Sequence, residues 1–325
     1  MPAYAAAFDW VRSHVESGVL PSAVLGVADR TGVVALEAFG EASVDDHYPL
    51  FSITKPLVGL TALDLVDAGR LLPTTPLSTA VPEFAALRAD EVQLRHLVGH
   101  TSGIVEPPLD TPAGLRPSLL AGGRDFAAGT VARYSSIAFE GVAALIEHAS
   151  GEAWQRRFAR LFDRADASGL TFDRSSSRHV PVDAAEHGLD WDRFAALGHP
   201  GAGAFGRAVD LLAVGSALLR DDGTLVSPLA VEAMRRPLTA GLPKLEPYPA
   251  ERGRDFGFAW NLPNAAPGLL ARDTYGHGGW AGTEFWITPS VGVCSVLLAN
   301  RAGLGRFGFD AEQLGNLVTA EASRG

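Results

Sequence analysis

Strand-like segments lie at both ends of this 325-residue chain, and helical patterns fill the long stretch between them. The strand-like segments are short, apolar and bounded by turn residues, and they are 24–28, 33–39, 256–260, 283–288 and 291–298. A sheet that uses both ends of a chain forces the chain to leave the sheet and return to it. The pattern therefore predicts an α+β fold, α/β sandwich-like, with one antiparallel sheet built from N- and C-terminal strands. We expect terminal helices at 3–17 and 311–322 to flank this sheet.

The helical stretch is long enough to form a sub-domain. Residues 84–220 show helical periodicity interrupted by loops, which predicts a large, mostly helical insertion. Residues 1–83 plus 221–325 would supply the sheet. A chain of this length can bury about three quarters of its unfolded surface without disulfides or metals. We therefore expect a single domain, 1–325, with a functional site between the two sub-domains.

Charge and cysteine content exclude several classes of protein. The formal net charge of −10 disfavours a nucleic-acid groove or an anionic membrane surface as partner. The single cysteine, Cys294, excludes an internal disulfide and a cysteine-rich metal site. The N-terminal residues lack the basic segment and long apolar core of a signal peptide, and no apolar stretch predicts a membrane helix. We expect a cytoplasmic protein, or a periplasmic or secreted one if a leader has been removed.

Ser52 and Lys55 form the first candidate pair. The apolar residues Leu57, Leu60 and Leu63 recur every third position and predict a helix that begins near Ser52. Ser52 and Lys55 would then lie one turn apart on the same side, at a helix N-terminus that favours negative charge. A serine nucleophile needs an amine nearby to handle its proton and donors for the oxyanion that it creates. The bland alternative is a helix cap followed by an exposed lysine.

Tyr134 and Ser136 lie just before a second apolar helical run. A tyrosine at the entry to a helix can direct its hydroxyl into a cleft. If Lys55 is close, its positive charge would lower the pKa of Tyr134 and make the phenol a usable base. The alternative is a buried tyrosine with a satisfied hydroxyl.

A third candidate, His277-Gly278-Gly279-Trp280, precedes the strand-like segment 283–288. Small residues here would let a substrate lie against a strand and form backbone hydrogen bonds. The alternative is a glycine-rich hairpin that contains a structural histidine.

Two other motifs do not predict a cofactor or a metal. The run 201–206 matches G-x-G-x-x-G, but the residues before it are not strand-like, as a dinucleotide site requires. His96 and His100 have the spacing of zinc ligands on a helix, but Leu97 stands where the metalloprotease pattern has Glu. We interpret 100–103 as a helix-terminating turn. No cofactor and no metal are expected.

In this order and at these separations, the motifs resemble those of the serine β-lactamase and penicillin-binding-protein superfamily. The resemblance is to the class C β-lactamase-related branch, which includes D-aminopeptidases, family VIII-type esterases and acyltransferases. It runs from about residue 5 to 322, and it includes the passage 97–103 and the glycine-rich run 201–211. It implies a β-lactamase/transpeptidase-like fold.

The resemblance also implies a role for each candidate. Ser52 would be the nucleophile, Lys55 would share its proton, and Tyr134 would be general base in acylation and then acid to the leaving group. The substrate wall and the oxyanion hole would be formed by Ser136, His277, Gly278, Gly279 and Trp280. The backbone N–H groups of Ser52 and Trp280 would bind the oxyanion.

Two departures from the family pattern bear on the substrate. Ser136 stands where Asn is common, and His277 stands where β-lactamases have Lys, which weakens a fixed charge toward a substrate carboxylate. Trp280 indicates a narrowed or aromatic acyl pocket. The sequence thus predicts a serine hydrolase that forms an acyl-enzyme, an esterase or small-amide hydrolase with a small-molecule substrate. The alternatives are an acyltransferase with the same acyl-enzyme, a true β-lactamase or DD-peptidase, and a non-catalytic binding protein on a hydrolase scaffold.

Overall fold

A computed structural model describes residues 3–121 and 123–324 of the chain. In chain order, the strands are β1 (Ser22–Asp29), β2 (Gly32–Gly40), β3 (Tyr48–Pro49), β4 (Phe205–Gly206), β5 (Asp255–Phe256), β6 (Asn261–Leu262), β7 (Tyr275–Gly278), β8 (Glu284–Thr288) and β9 (Val293–Ala299). The helices are α1 (Ala5–Glu16), α2 (Thr54–Asp67), α3 (Leu94–Val98), α4 (Leu115–Leu119), α5 (Ala138–Ser150), α6 (Trp154–Phe162), α7 (Trp191–Ala196), α8 (Ala208–Arg220), α9 (Pro228–Met234) and α10 (Ala311–Ala322). None of the helices in the described parts of the chain is both long and apolar enough to cross a bilayer.

The main sheet joins the two ends of the chain. Its seven strands run in the order β2-β1-β9-β8-β7-β6-β5, and each neighbouring pair is antiparallel. Strand β1 pairs along most of its length with β9, with Ala23 opposite Ala299 and Ala28 opposite Cys294. The predicted α+β fold, with an antiparallel sheet from N- and C-terminal strands, is confirmed.

Both faces of β1 are covered, which explains why the strand is apolar at almost every position. Side chains alternate between the faces of a strand. Val24 and Ala28 belong to the larger core, on the side where α8 packs against β1 and β9. Leu25 and Val27 belong to a second core on the opposite face, which α1 and α10 complete with their own apolar residues. The two terminal helices therefore flank the sheet as predicted.

The prediction of one strand at 256–260 is wrong. The segment folds instead into a tight hairpin that joins the two-residue strands β5 and β6. Ala259 adopts a left-handed φ of 67°, and its N–H donates to the Val98 carbonyl at 3.1 Å. Phe258 and Trp260 are buried in the core, so their apolar character reflects tertiary packing and not an extended ladder.

Helix α2 runs through the interior of the molecule. Every residue from Thr54 to Leu65 is buried, so the apolar face that the sequence predicts is only part of a helix that is covered on all sides. The helix follows directly on a single 3₁₀ turn, Phe51–Ile53. Lys55, a polar residue on the first turn of this helix, is consequently held away from bulk water.

Candidate active site

Ser52 lies in the 3₁₀ turn that leads into α2, and Lys55 lies in the first turn of the helix. Phe51 adopts a left-handed φ of 46°, which for an aromatic residue is a strained conformation that the surrounding packing must hold in place. Lys55 Nζ lies 3.1 Å from Ser52 Oγ. Ser52 and Lys55 therefore lie next to each other at the start of the helix, as the sequence predicts.

Lys55 is completely buried, and three oxygen atoms surround its amine. Besides Ser52 Oγ, these are Ser136 Oγ at 3.0 Å and the Gly201 carbonyl oxygen at 2.7 Å. Burial lowers the pKa of Lys55 to about 7, against an opposing effect of Glu106. A neutral amine has two N–H donors and one lone pair, which matches donation to Gly201 and Ser136 and acceptance from the Ser52 hydroxyl.

Tyr134 presents its ring to the Lys55 amine. The distance from Lys55 Nζ to the centre of the Tyr134 ring is 4.5 Å. The expectation that Lys55 lowers the pKa of Tyr134 is nevertheless wrong. Burial raises the pKa of Tyr134 well above its ordinary value, Tyr248 adds to this effect, and the Ser52 hydroxyl opposes it. Tyr134 is therefore a neutral hydroxyl at physiological pH, and Lys55 is the group whose pKa suits a base.

His277 on β7 is buried and uncharged. Its Nδ1 lies 2.7 Å from the Gly278 carbonyl oxygen, so we assign the ring proton to Nδ1 because a carbonyl can only accept. Nε2 is then free to accept from the Tyr134 hydroxyl at 3.4 Å. Burial, reinforced by Lys55, lowers the pKa of His277 to about 3. The wall therefore carries no histidine charge at neutral pH.

Gly278, Gly279 and Trp280 continue the wall past Ser52. A Cβ at Gly279 would lie 2.5 Å from the Leu50 carbonyl oxygen, so only glycine allows this approach to the nucleophile turn. The Trp280 ring packs on Phe51 with their centres 5.2 Å apart. Within the described ranges the backbone N–H of Trp280 makes no hydrogen bond, which leaves this backbone group available to an oxyanion. Strand β7 pairs with β6 only at Gly276, so the edge at Gly278 stays open.

These residues border one cavity of about 390 Å³. Ser52, Tyr134, Gly278, Gly279 and Trp280 line it. Lys55, Ser136 and His277 are buried next to it and reach the lining residues by the contacts described above. The structure thus brings all eight predicted site residues together.

The far side of the cavity was not predicted. It includes Tyr248, Arg254, Glu284 and Trp286. Trp286 Nε1 donates to the Glu284 carboxylate at 2.6 Å, and burial raises the pKa of Glu284 to about 7. Arg254 pairs with Glu312 at 2.8 Å. No motif marks these residues, because they come from loops and strand positions that become neighbours only in the folded chain.

Gly201 received no role in the sequence analysis, although it lies in the glycine-rich run that carries part of the family resemblance. The glycine-rich run 201–206 matches a dinucleotide motif by its letters, but Gly201 instead directs its carbonyl at the Lys55 amine. A Cβ at this position would lie 2.5 Å from the Ser136 carbonyl oxygen. Glycine is therefore required for the close approach of two backbone segments on either side of Lys55.

His100, in the passage interpreted as a turn, also supports the site. It is buried with a left-handed φ of 58°, and its ring lies 4.5 Å from the Tyr134 ring. Its Nδ1 accepts from the Ser135 N–H at 3.1 Å.

Within residues 3–121 and 123–324, no group of three or more His, Cys, Asp or Glu side chains is placed to hold a metal ion.

A second serine lies beside a histidine and a carboxylate. Ser22 Oγ is 3.4 Å from His179 Nδ1, and His179 Nε2 is 2.8 Å from Asp46 Oδ2. Ser22 and His179 are only 4% and 7% exposed, and Ser22 also contacts Tyr48 Oη at 2.9 Å. The group is a buried polar network between chain segments, and a substrate cannot reach it.

The fold and the serine–lysine pair beside a cavity together define a serine hydrolase. A sequence model of the beta-lactamase family matches residues 8–320. The chain therefore belongs to the beta-lactamase family, whose members are serine hydrolases.

Individual relatives differ in the activities that their names describe. The chain is 27% identical over 330 residues to penicillin-binding protein 4 of Amycolatopsis lactamdurans, covering 90% of this chain and 83% of that protein. It is 26% identical over 339 residues to esterase EstB of Burkholderia gladioli, covering 87% and 83%. Among solved structures, a simvastatin synthase of Aspergillus terreus (LovD9 mutant) superposes with a TM-score of 0.80 at 19% identity, covering 98% of this chain and 99% of that one.

Proposed function

We propose that this protein hydrolyses small esters, or small amides, through an acyl-enzyme on Ser52. The observation that carries the proposal is the 3.1 Å contact between Ser52 Oγ and the buried amine of Lys55. An amine with a pKa of about 7 is neutral in a large fraction of molecules at physiological pH, and it can accept the serine proton as the serine attacks.

The proposed acylation uses the groups that surround Ser52. Ser52 Oγ attacks the substrate carbonyl while its proton passes to Lys55 Nζ. The N–H groups of Ser52 and Trp280 would bind the oxyanion of the tetrahedral intermediate. When that intermediate collapses, the leaving oxygen or nitrogen takes the hydroxyl proton of Tyr134, and Lys55 returns its proton to the tyrosine oxygen. Deacylation repeats these steps with water as the nucleophile and Ser52 as the leaving group.

The charges of the wall support a substrate that is neutral next to the scissile bond. His277 is uncharged, and Ser136 Oγ is held by Lys55 at 3.0 Å, so neither offers a fixed positive charge to a carboxylate. Trp280 and Tyr248 add aromatic surface to the same cavity, which favours an apolar acyl or alcohol group. The name of the Burkholderia relative, an esterase, agrees with this assignment.

Ester hydrolysis by matched serine variants tests the proposal. Purified protein should release p-nitrophenol from p-nitrophenyl acetate and butyrate, and Ser52→Ala should abolish this release. Ser22→Ala is the control, because Ser22 also contacts a histidine but is buried outside the cavity, and it should retain the wild-type rate. Undiminished turnover by Ser52→Ala would refute the acyl-enzyme.

A fluorophosphonate separates hydrolysis from simple binding. It should add one phosphonyl group to Ser52, detectable by intact-mass spectrometry. A protein that acquires no adduct would be a binding protein on a hydrolase scaffold.

A further inference from the structure

Glu106 connects two parts of the site through hydrogen bonds that no motif indicates. The residue is exposed on the loop that follows α3, but its carboxylate is turned toward the start of α5. It accepts from Ser135 Oγ at 2.7 Å, from the Ser136 N–H at 2.8 Å and from the Ile137 N–H at 3.3 Å. A carboxylate at this place satisfies N–H groups that have no partner within the helix and lies favourably in the helix dipole.

This arrangement bears directly on Lys55. Ser136, whose N–H is held by Glu106, is also the residue whose Oγ lies 3.0 Å from the Lys55 amine. A continuous series of contacts therefore runs from Glu106 through Ser136 and Lys55 to Ser52. Loss of the Glu106 carboxylate would release the main chain at Ser136, and with it one of the three oxygen partners of the amine.

The other titratable groups around Lys55 are neutral near physiological pH. Burial, together with Lys55 itself, lowers the pKa of His199 and of His277 to about 3 and lowers the pKa of His100 well below its ordinary value. Burial keeps Tyr134 protonated by raising its pKa. Glu106 is the charged group that raises the pKa of Lys55 against the effect of burial. Desolvation in turn raises the pKa of Glu106, while its bonds from Ser135 and Ser136 oppose this.

We propose that Glu106 is a positioning residue for the acyl-enzyme chemistry: its carboxylate fixes Ser136 on the Lys55 amine, and its negative charge lies behind Ser136 in the same series of contacts. The inference rests on the proposed function, since it assigns Glu106 a part only if Lys55 accepts the Ser52 proton. It also predicts the direction in which the pH dependence of the reaction would move if Glu106 lost its charge. Without the negative charge the amine loses its proton more easily, so the active form persists to lower pH.

The test is the rate of Ser52 labelling by a fluorophosphonate as a function of pH. Labelling requires the same transfer of the Ser52 proton to Lys55, and its rate should rise with pH to a plateau. Glu106→Gln keeps the shape of the side chain and removes its charge, so the midpoint of this rise should move lower by about one pH unit, and the plateau should fall several-fold. Glu106→Asp keeps the charge on a shorter side chain, so its midpoint should stay near wild type while its plateau falls.

Asp190→Asn is the matched control. Asp190 is also a carboxylate that accepts a backbone N–H at a helix start, from Arg193 at 3.1 Å, but it lies at α7 and should leave the midpoint unchanged. A purely structural Glu106 would lower the rate at every pH without moving the midpoint, and that result in Glu106→Gln would overturn the proposal. If Glu106→Gln does not fold, a wild-type plateau in Glu106→Asp would overturn it instead. Failure of the wild-type protein to label at any pH would refute the proposed function itself.

Discussion

Replacing the buried amine of Lys55 should remove activity and also remove a characteristic pH dependence of the stability. The pKa of this lysine is about 7 in the folded chain, against an ordinary value of 10.5. Between these two pH values the unfolded chain binds one more proton at this position than the folded chain does. Stability of the wild-type protein therefore rises with pH across this window, and the full cost of the lysine is felt below about pH 7.

The magnitude follows from the size of the window. Each pKa unit corresponds to about 1.4 kcal/mol, so between about pH 7.5 and pH 9.5 the wild-type protein should gain about 2 to 3 kcal/mol relative to Lys55→Met. Methionine has a similar length and no proton to lose. It leaves the Gly201 carbonyl and the Ser136 hydroxyl without their donor and the Ser52 hydroxyl without its acceptor, at a cost of about 1–3 kcal/mol for each buried group left unsatisfied. At neutral pH this cost offsets the roughly 4 kcal/mol spent on deprotonating the lysine, so the difference in pH dependence between the two proteins, and not the sign of their difference at pH 7, is the quantity to measure.

Urea unfolding of both proteins at the two pH values measures this difference, and Ser52→Ala, which retains the amine, should show the wild-type dependence. The Met variant should also lose at least about 100-fold in p-nitrophenyl ester hydrolysis. A stability difference between wild type and Lys55→Met that is the same at both pH values would refute the assignment of a neutral lysine.

Four further predictions concern the same site. Ester hydrolysis should increase about tenfold in kcat/KM between about pH 6 and pH 8 and be lost at lower pH, because the neutral form of Lys55 is the active one; a flat pH–rate profile would contradict this. Tyr134→Phe should reduce kcat by about 100-fold or more while circular dichroism shows an intact fold, and an unchanged kcat would exclude the tyrosine as acid. Gly201→Ala should reduce activity at least tenfold, about 1.4 kcal/mol of barrier, because its Cβ would lie 2.5 Å from the Ser136 carbonyl oxygen; full activity would show that the backbone can yield there. Nitrocefin should be hydrolysed far more slowly than p-nitrophenyl butyrate because His277 carries no charge, and rapid turnover of nitrocefin would contradict that argument.

The parts of the site that the sequence predicted are those set by local geometry or by the family resemblance. A three-residue spacing on one helix places Lys55 next to Ser52 wherever the helix lies. The meeting of Tyr134 and His277 joins residues 143 positions apart in the chain, and only the resemblance indicated it. The contribution of Gly201 and Glu106 had no local signal that separates it from an ordinary glycine-rich turn or loop carboxylate.

The wrong expectations share one physical cause, which is burial. The effect of Lys55 on the pKa of Tyr134 was judged from charge alone, but the tyrosine is buried deeply enough that desolvation decides the direction. The segment 256–260 was interpreted as a strand because it is apolar, yet its side chains fill the core around a tight turn. Periodicity shows which residues avoid water, and it does not show how many neighbours will enclose them.

The pairing of β1 with β9 has a consequence for how this protein reaches its native state. The contact between Ala23 and Ala299 spans nearly the whole chain, and topologies with such distant partners fold slowly because a large loop must close before the contact forms. During synthesis the apolar hairpin of β1 and β2 emerges early, and the strand that covers its inner edge is made last. Until then β1 presents an unpaired and largely apolar edge, which is the kind of surface that chaperones bind and that aggregates when it is left uncovered.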